Sequence, residues 1–294
     1  MKNICPICEN PAGLRYRLSR RVYYCKPCRL YFALEASYNS AREREIDIAD
    51  WFEKLSDFRK NNYRIILDKL TRRGLEKSKA LAGLEVGSAF GGFLEVSKEY
   101  GLDVVGIEPE KRMYDYAIQK KLRVRHGFFP DDLPKQSDPY DFIIFNDVFE
   151  HIWDCANTIR CCRERLKENG VLVLNLPLST GFFYKVGSFL YYLGIKSGLQ
   201  RLWQFDFYTP HLYYFNRHSL SALLTQFELE IFDYIKLDAI DSHSLYHRIK
   251  VDRVFSKYSH ILSKIIVGLS GIIRRFNEDT GVFFIRRKAS GRMI

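Results

Sequence analysis

No stretch of this 294-residue chain reaches the ~20 consecutive apolar residues needed to cross a bilayer. No apolar leader stands ahead of Cys5, so no secretory signal is expected. Internal repeats and low-complexity tracts are missing too, which argues against solenoids, propellers and disordered linkers. Acids are scarce at the two ends. Residues 1–29 hold one acid, Glu9, against seven Lys and Arg, and residues 236–294 hold five against twelve. The whole chain carries +11, so its middle is close to neutral. Basic ends imply either an anionic partner (nucleic acid, a membrane surface, a phosphorylated substrate) or charge that only aids solubility. The seven cysteines are not spread like a disulfide framework, and a reducing, cytoplasmic compartment is expected. What is present, 47% hydrophobic residues in a chain of this length, supports one large folded domain with an appendage.

Four of the cysteines form a pattern. Cys5-x-x-Cys8 is followed after sixteen residues by Cys25-x-x-Cys28. Two such knuckles supply four thiolates to a tetrahedral Zn2+, with no coordination position left open, so a structural zinc ribbon is expected over residues 1–35. Zinc loss should unfold it. Cys155, Cys161 and Cys162 read as ordinary core or surface thiols.

Residues 36–75 read as a helical linker, with Ile46, Ile48, Trp51, Phe52, Leu55 and Phe58 in an apolar stripe. From residue 80 strand and helix patterns alternate. Strands are expected at 81–86, 103–107, 122–126, 140–145 and 171–176, with late strands at 228–235 and 281–286. A helix over 156–167 is expected to end at the Asn169-Gly170 pair. The run LEVGSAFGGFLE places Glu85, Gly87 and Gly91 at the end of the first strand, and DVVGIEPE puts Glu108 at the tip of the second. A glycine turn lets a ligand approach the backbone, and an acid on the next strand can accept from both ribose hydroxyls. The pair therefore predicts a nucleoside-cofactor site on a doubly wound α/β sheet.

Four local motifs make residues 60–290 resemble the class I S-adenosylmethionine-dependent methyltransferases, most closely the type 11 and 23 and ubiquinone-type small-molecule enzymes. They are Glu85-Val-Gly87-Ser88-Ala89-Phe-Gly91, the ribose acid Glu108 with Pro109, DFIIFNDVFEHIWD on the fourth strand, and LKENGVLVLNLP on the fifth. The resemblance implies a Rossmann-like seven-stranded sheet over residues 76–294, its last strand inserted antiparallel, with S-adenosylmethionine as cofactor. Ala89 stands where the family has its middle glycine, a replacement suited to ordinary backbone angles. Asn146 and Asp147 would lie by the methionyl group. Phe128 occupies a place the family usually gives to an acid meeting the adenine amine; it would stack on the adenine, or Asp131 or Asp132 would reach in.

The same resemblance marks the catalytic candidates. A sulfonium cofactor supplies the electrophile, so a protein base is needed only to take a hydroxyl proton. His151 can do that near neutral pH, with Glu150 orienting it, or the pair only shapes the pocket. His211, in TPHLYYFNRHSL, is the rival base. The aromatic insertion at 178–217 reads as a lid that packs on the sheet edge or walls a bulky acceptor. The stripe from 259 to 276 packs on its own domain or a second copy, or lies on an anionic membrane, which would make the protein peripheral to it.

Three functions are consistent with these residues. The first is methyl transfer, chiefly to oxygen, on a small-molecule, sugar or polysaccharide acceptor. The second is RNA methylation, with Arg15, Arg17, Arg20 and Arg21 gripping phosphates and Tyr16, Tyr23 and Tyr24 stacking on bases. The fourth strand lacks the proline-aromatic motif usual in base-amine enzymes, which favours the first. The third is a cofactor-binding scaffold without catalysis.

Overall fold

The computed structural model describes residues 3–34, 56–72, 81–134, 138–237 apart from Asp206 and Tyr208, and 278–289, together with Lys264 and Gly268. Residues 36–55 of the expected linker, with all of its stripe but Phe58, and every apolar residue of the expected 259–276 stripe lie outside the described residues.

The main sheet grows from β-branched and aromatic runs that alternate sides. Its strands are β4 (Ala82–Val86), β5 (Asp103–Glu108), β6 (Val124–His126), β7 (Tyr140–Asn146), β8 (Leu166–Pro177), β10 (Leu229–Leu237) and β11 (Thr280–Arg287). Their order is β10-β11-β8-β7-β4-β5-β6. The five strands from β8 to β6 run parallel, and β11 enters antiparallel between β8 and β10, as expected. Side chains on β7 alternate between two cores: Phe142 and Ile144 join one, Ile143 and Phe145 the other. This is the period-two burial of a sheet covered on both faces.

One face is covered by α1 (Ser56–Arg72), α2 (Gly92–Glu99) and α3 (Lys111–Gln119), with Ile66, Leu67 and Leu70 of α1 packed in the same core as Phe93 of α2. The helix α3 starts where the Glu110 side chain accepts from the backbone of Arg112 and Met113. α4 (Cys155–Arg165) starts at Asp154, whose side chain accepts from Asn157 N. It ends earlier than the Asn169-Gly170 pair suggested. Leu166 is already extended (φ −84°, ψ 141°) and pairs with Tyr140, so the pair lies inside β8. A cross-strand partner outweighed the local helix-stop signal.

The other core contains the cysteine module. Strands β1 (Gly13–Arg17), β2 (Arg21–Cys25) and β3 (Leu30–Phe32) form an antiparallel ribbon, which gains a fourth strand, β9 (Tyr213–Tyr214), from far along the chain. The 178–217 insertion is partly regular: α5 (Phe182–Tyr192), α6 (Ser197–Leu202), then β9, followed by α7 (Arg217–Thr225). The ribbon and this insertion share buried residues, among them Tyr16, Phe32, Tyr184, Trp203 and Tyr214. Polar bonds lock them: Tyr16 Oη to Ser188 Oγ at 2.8 Å, Arg17 N to Tyr191 Oη at 2.8 Å, and Asn216 Nδ2 to Arg29 O at 2.6 Å.

Candidate functional site

The carboxyl ends of β4, β5 and β7 meet at one crevice, the place where a doubly wound sheet binds ligands. Gly87 (φ 70°) and Gly91 (φ 80°) occupy left-handed conformations there. A Cβ on Gly87 would come within 2.6 Å of Val148, and one on Gly91 within 2.2 Å of Leu122, so glycine is required by space as well as by angle. The backbone of Gly87 donates to Ile107 O at 2.8 Å, tying the turn to β5.

Ala89 departs from the expectation of ordinary angles: it is left-handed, at φ 46°. A non-glycine residue there costs on the order of 1 kcal/mol. The conformation aims Ala89 N at Glu108 Oε2, 2.7 Å away, while Glu110 N donates to Glu108 Oε1 at 2.9 Å. The buried Glu108 therefore closes the loop after β4 against the loop after β5. Burial pushes its carboxyl pKa up, and the two backbone donors pull it back. Pro109 O meets His126 Nε2 at 3.0 Å, which fixes the next strand's end.

Glu85 is buried, and desolvation raises its carboxyl pKa well above the usual value. Its Oε1 accepts from Asn146 Nδ2 at 3.0 Å, but Oε2 has no hydrogen-bond partner among the described residues. Ser88 Oγ is likewise buried without one. Asp147 is left-handed (φ 55°) and its N donates to Asn175 O at 2.8 Å. Orphaned polar atoms in a crevice with a left-handed glycine turn suit a polar ligand bearing a ribose and an amino-acid tail. At the sheet edge Phe128 exposes 65% of its surface, whereas Asp132 turns back to accept from Phe128 N at 2.7 Å. Phe128 thus remains open to a planar ring, and Asp132 is occupied by its own loop.

Beside this crevice, the structure brings Glu150, His151 and His211 together from positions sixty residues apart. Glu150 is buried, and neither of its oxygens has a hydrogen-bond partner among the described residues. Its Oε1 lies 3.9 Å from both His151 Nε2 and His211 Nε2. Desolvation, reinforced by Asp147, raises the Glu150 carboxyl well above its ordinary range. Burial pushes His151 down to about 4, partly offset by the backbone carbonyl of Pro210. His151 Nδ1 sits 2.9 Å from Pro210 O, so Nδ1 carries the proton and Nε2 is left as a lone pair. Burial and His151 lower His211 well below its usual value. One ligand atom from each residue lies within 4.8 Å of the others, a spacing that also suits one divalent cation. Leu212 N donates to Glu150 O at 2.8 Å, and Ala33 N to Leu212 O at 2.8 Å. Through these bonds the ribbon holds the segment that carries His211.

Cys5, Cys8, Cys25 and Cys28 also converge, their sulfurs within 4.8 Å of one another and Cys8 Sγ 3.5 Å from Cys25 Sγ. Four sulfurs about 2.3 Å from a central ion would stand at such separations. Burial pushes the Cys5 thiol up to about 12, whereas backbone and side-chain donors bring Cys8 down to about 7. Such crowding is relieved when a cation replaces the protons.

Of the three ribbon tyrosines expected to stack on bases, Tyr16 and Tyr23 are buried, Tyr16 against Tyr31 and Tyr191, and Tyr24 is partly buried. Other residues at the site escaped sequence reading. Tyr63 of α1 lies near enough to Glu85, Asp147 and Arg59 to interact electrostatically with all three. The only signal for it was an amphipathic pattern with no motif. Trp153, 60% exposed two residues after His151, has its carbonyl held by Tyr213 Oη. Tyr184 and Trp203 are buried against each other within the insertion, and His211 Nδ1 is buried there with no hydrogen-bond partner among the described residues.

A family model described as a methyltransferase domain matches residues 58–233, more than half of the chain. The mitochondrial ubiquinone biosynthesis O-methyltransferase of Rattus norvegicus is 26% identical over 124 residues, covering 38% of this chain and 36% of that protein. The ubiquinone biosynthesis O-methyltransferase of Pelagibacter ubique is 27% identical over 131 residues, covering 42% and 55%. The chain thus spans between about a third and just over half of the length of these relatives. Among solved structures, the plantazolicin methyltransferase BpumL in complex with SAH superposes with a TM-score of 0.54 at 13% identity, over 87% of this chain and 94% of that one. At that identity the likeness is one of fold.

Proposed function

Because the chain belongs to the methyltransferase-domain family, we propose that it transfers a methyl group from S-adenosylmethionine to an oxygen of a small-molecule, sugar or polysaccharide acceptor. The observation that carries the reading is the His151 imidazole, buried with Nδ1 held by Pro210 and Nε2 left unprotonated beside the cofactor crevice. When bound, S-adenosylmethionine would supply an electrophilic methyl on a sulfonium, with a neutral thioether as the leaving group. This chain's residues do the rest. Gly87, Ser88, Ala89 and Glu108 hold the nucleoside; Glu85, Asn146 and Asp147 receive the amino-acid tail. His151 Nε2 takes the hydroxyl proton of the acceptor, and Glu150 and His211 flank the proton's path. The O-methyltransferase activity for which the ubiquinone-type relatives are named supports oxygen as the acceptor atom. Zn2+ on the four ribbon thiolates is structural in this reading, because four sulfurs fill its coordination.

The test is methyl-labelled S-adenosylmethionine incubated with the protein and a cell extract, followed by separation of RNA, protein, lipid, polysaccharide and small molecules. Label outside RNA supports the proposal; label confined to RNA overturns it. With the labelled fraction as substrate, His151→Ala should lower kcat by roughly a hundredfold or more while SAH still binds. A near-wild-type rate removes His151 as the base.

A further inference from the structure

Six of the exposed large apolar side chains gather at one knob: Leu14 on the ribbon hairpin, and Val186, Phe189, Tyr192, Leu193 and Ile195 along α5 and the turn after it. Helix α5 buries Tyr184 and Gly187 on its inner side and turns Val186 and Phe189 outward. Phe189 and Leu193 are each more than 60% exposed. The hairpin and helix are one rigid surface, joined by the Tyr16–Ser188 and Arg17–Tyr191 bonds.

Among the described residues the charge around the knob is mostly positive, with Glu278 and Asp279 near Lys185. No acid occurs from Asn10 through Leu34 or from Val171 through Phe205. Arg15, Arg17, Lys185 and Lys196 are exposed. Arg15 stands 5.4 Å from the Tyr192 ring and Lys196 5.9 Å from the Tyr191 ring. Lys185 lies near Glu278 and Asp279, so Arg15 and Lys196 are the cleaner probes.

We propose that this knob docks the protein on an anionic lipid bilayer. The apolar side chains would enter the boundary below the headgroups, the tyrosines would sit at headgroup level, and the cations would meet lipid phosphates. A second copy fits less well, since a two-fold contact would bring like charges together. Nucleic acid would gain from the cations but leave the apolar projections without a partner. The surface is built on the same insertion that carries His211, so docking would hold the candidate site close to acceptors that reside in or on the membrane.

The experiment is co-sedimentation with phosphatidylcholine vesicles and with vesicles containing about a third phosphatidylglycerol. Wild-type protein should partition onto the anionic vesicles and much less onto the neutral ones. Phe189→Asp with Leu193→Asp should reduce partition at least tenfold. Arg15→Glu with Lys196→Glu should reduce it by about fivefold or more per site on anionic vesicles. Both double variants should bind SAH as wild type does, which separates a docking failure from a failure of the fold or of the methyltransferase reading. No partition of wild type onto either vesicle overturns the proposal. So does wild-type partition by the Phe189 and Leu193 variant, which would place any lipid contact elsewhere. Single-stranded RNA that displaces wild type from vesicles, with the apolar variant binding that RNA and the vesicles as wild type does, also overturns it.

Discussion

Glu108 works by accepting two backbone donors from two different loops, at 2.7 and 2.9 Å. A charge-assisted bond of this kind contributes about 1.5–3 kcal/mol. Glu108→Gln leaves an amide facing one of those N–H groups, and SAH affinity measured by calorimetry should fall about ten- to a hundredfold. A dissociation constant within twofold of wild type would detach Glu108 from the cofactor site. His151 gives a pH signature that needs no acceptor. Its folded value, about 4, lies below the ordinary 6.5. The unfolded chain therefore binds a proton that the folded chain refuses, so the stability contributed by the neutral ring is complete above pH 6.5 and lost as pH falls toward 4. Glu150 is raised and works in the opposite direction, its contribution being lost as pH rises. Without added divalent cation, His151→Asn should therefore lose Tm less steeply than wild type between pH 6.5 and 4; identical slopes would mean that the ring is hydrated.

Elements decide how these residues are held. The two-residue strand β9 is too short to persist alone, yet it pairs with β3 through Tyr31–Tyr214 and Phe32–Tyr213. It also follows Leu212, which bridges Ala33 and Glu150. Chelation of the Zn2+ proposed for the ribbon should thus raise amide hydrogen exchange in residues 211–216 and 149–152, with β4 and β5 remaining protected. Unchanged exchange at 211–216 would show that β9 is held without the ribbon. The same dependence on partners explains the misplaced end of α4, where pairing with β7 extended β8 backward through a good turn signal.

In the whole molecule, the cysteine ribbon is not an appendage beside the sheet. Its buried residues, Tyr16, Phe32 and Ala33 among them, share one core with Tyr184, Trp203 and Tyr214. Removing residues 1–34 should expose that core, and the truncated chain should be insoluble or lose cooperative melting. A soluble truncation that binds SAH with native Tm would mean two autonomous units.

The sequence alone determined the alternation of strands and helices, the glycine turn, Glu108 and the four-cysteine spacing, because each is a local pattern dictated by backbone angles or by ligand geometry. Tyr63 was not legible, since a polar residue on a helix reveals its face but not what lies opposite. Nor was the left-handed Ala89, whose angle is held by a bond to a residue on another strand. Only the tertiary structure joined His211 to Glu150 and His151, and only it set the ribbon and the insertion edge to edge to make one basic, apolar surface. Contacts between residues sixty to two hundred positions apart depend on how elements pack, and no local period in the chain encodes that.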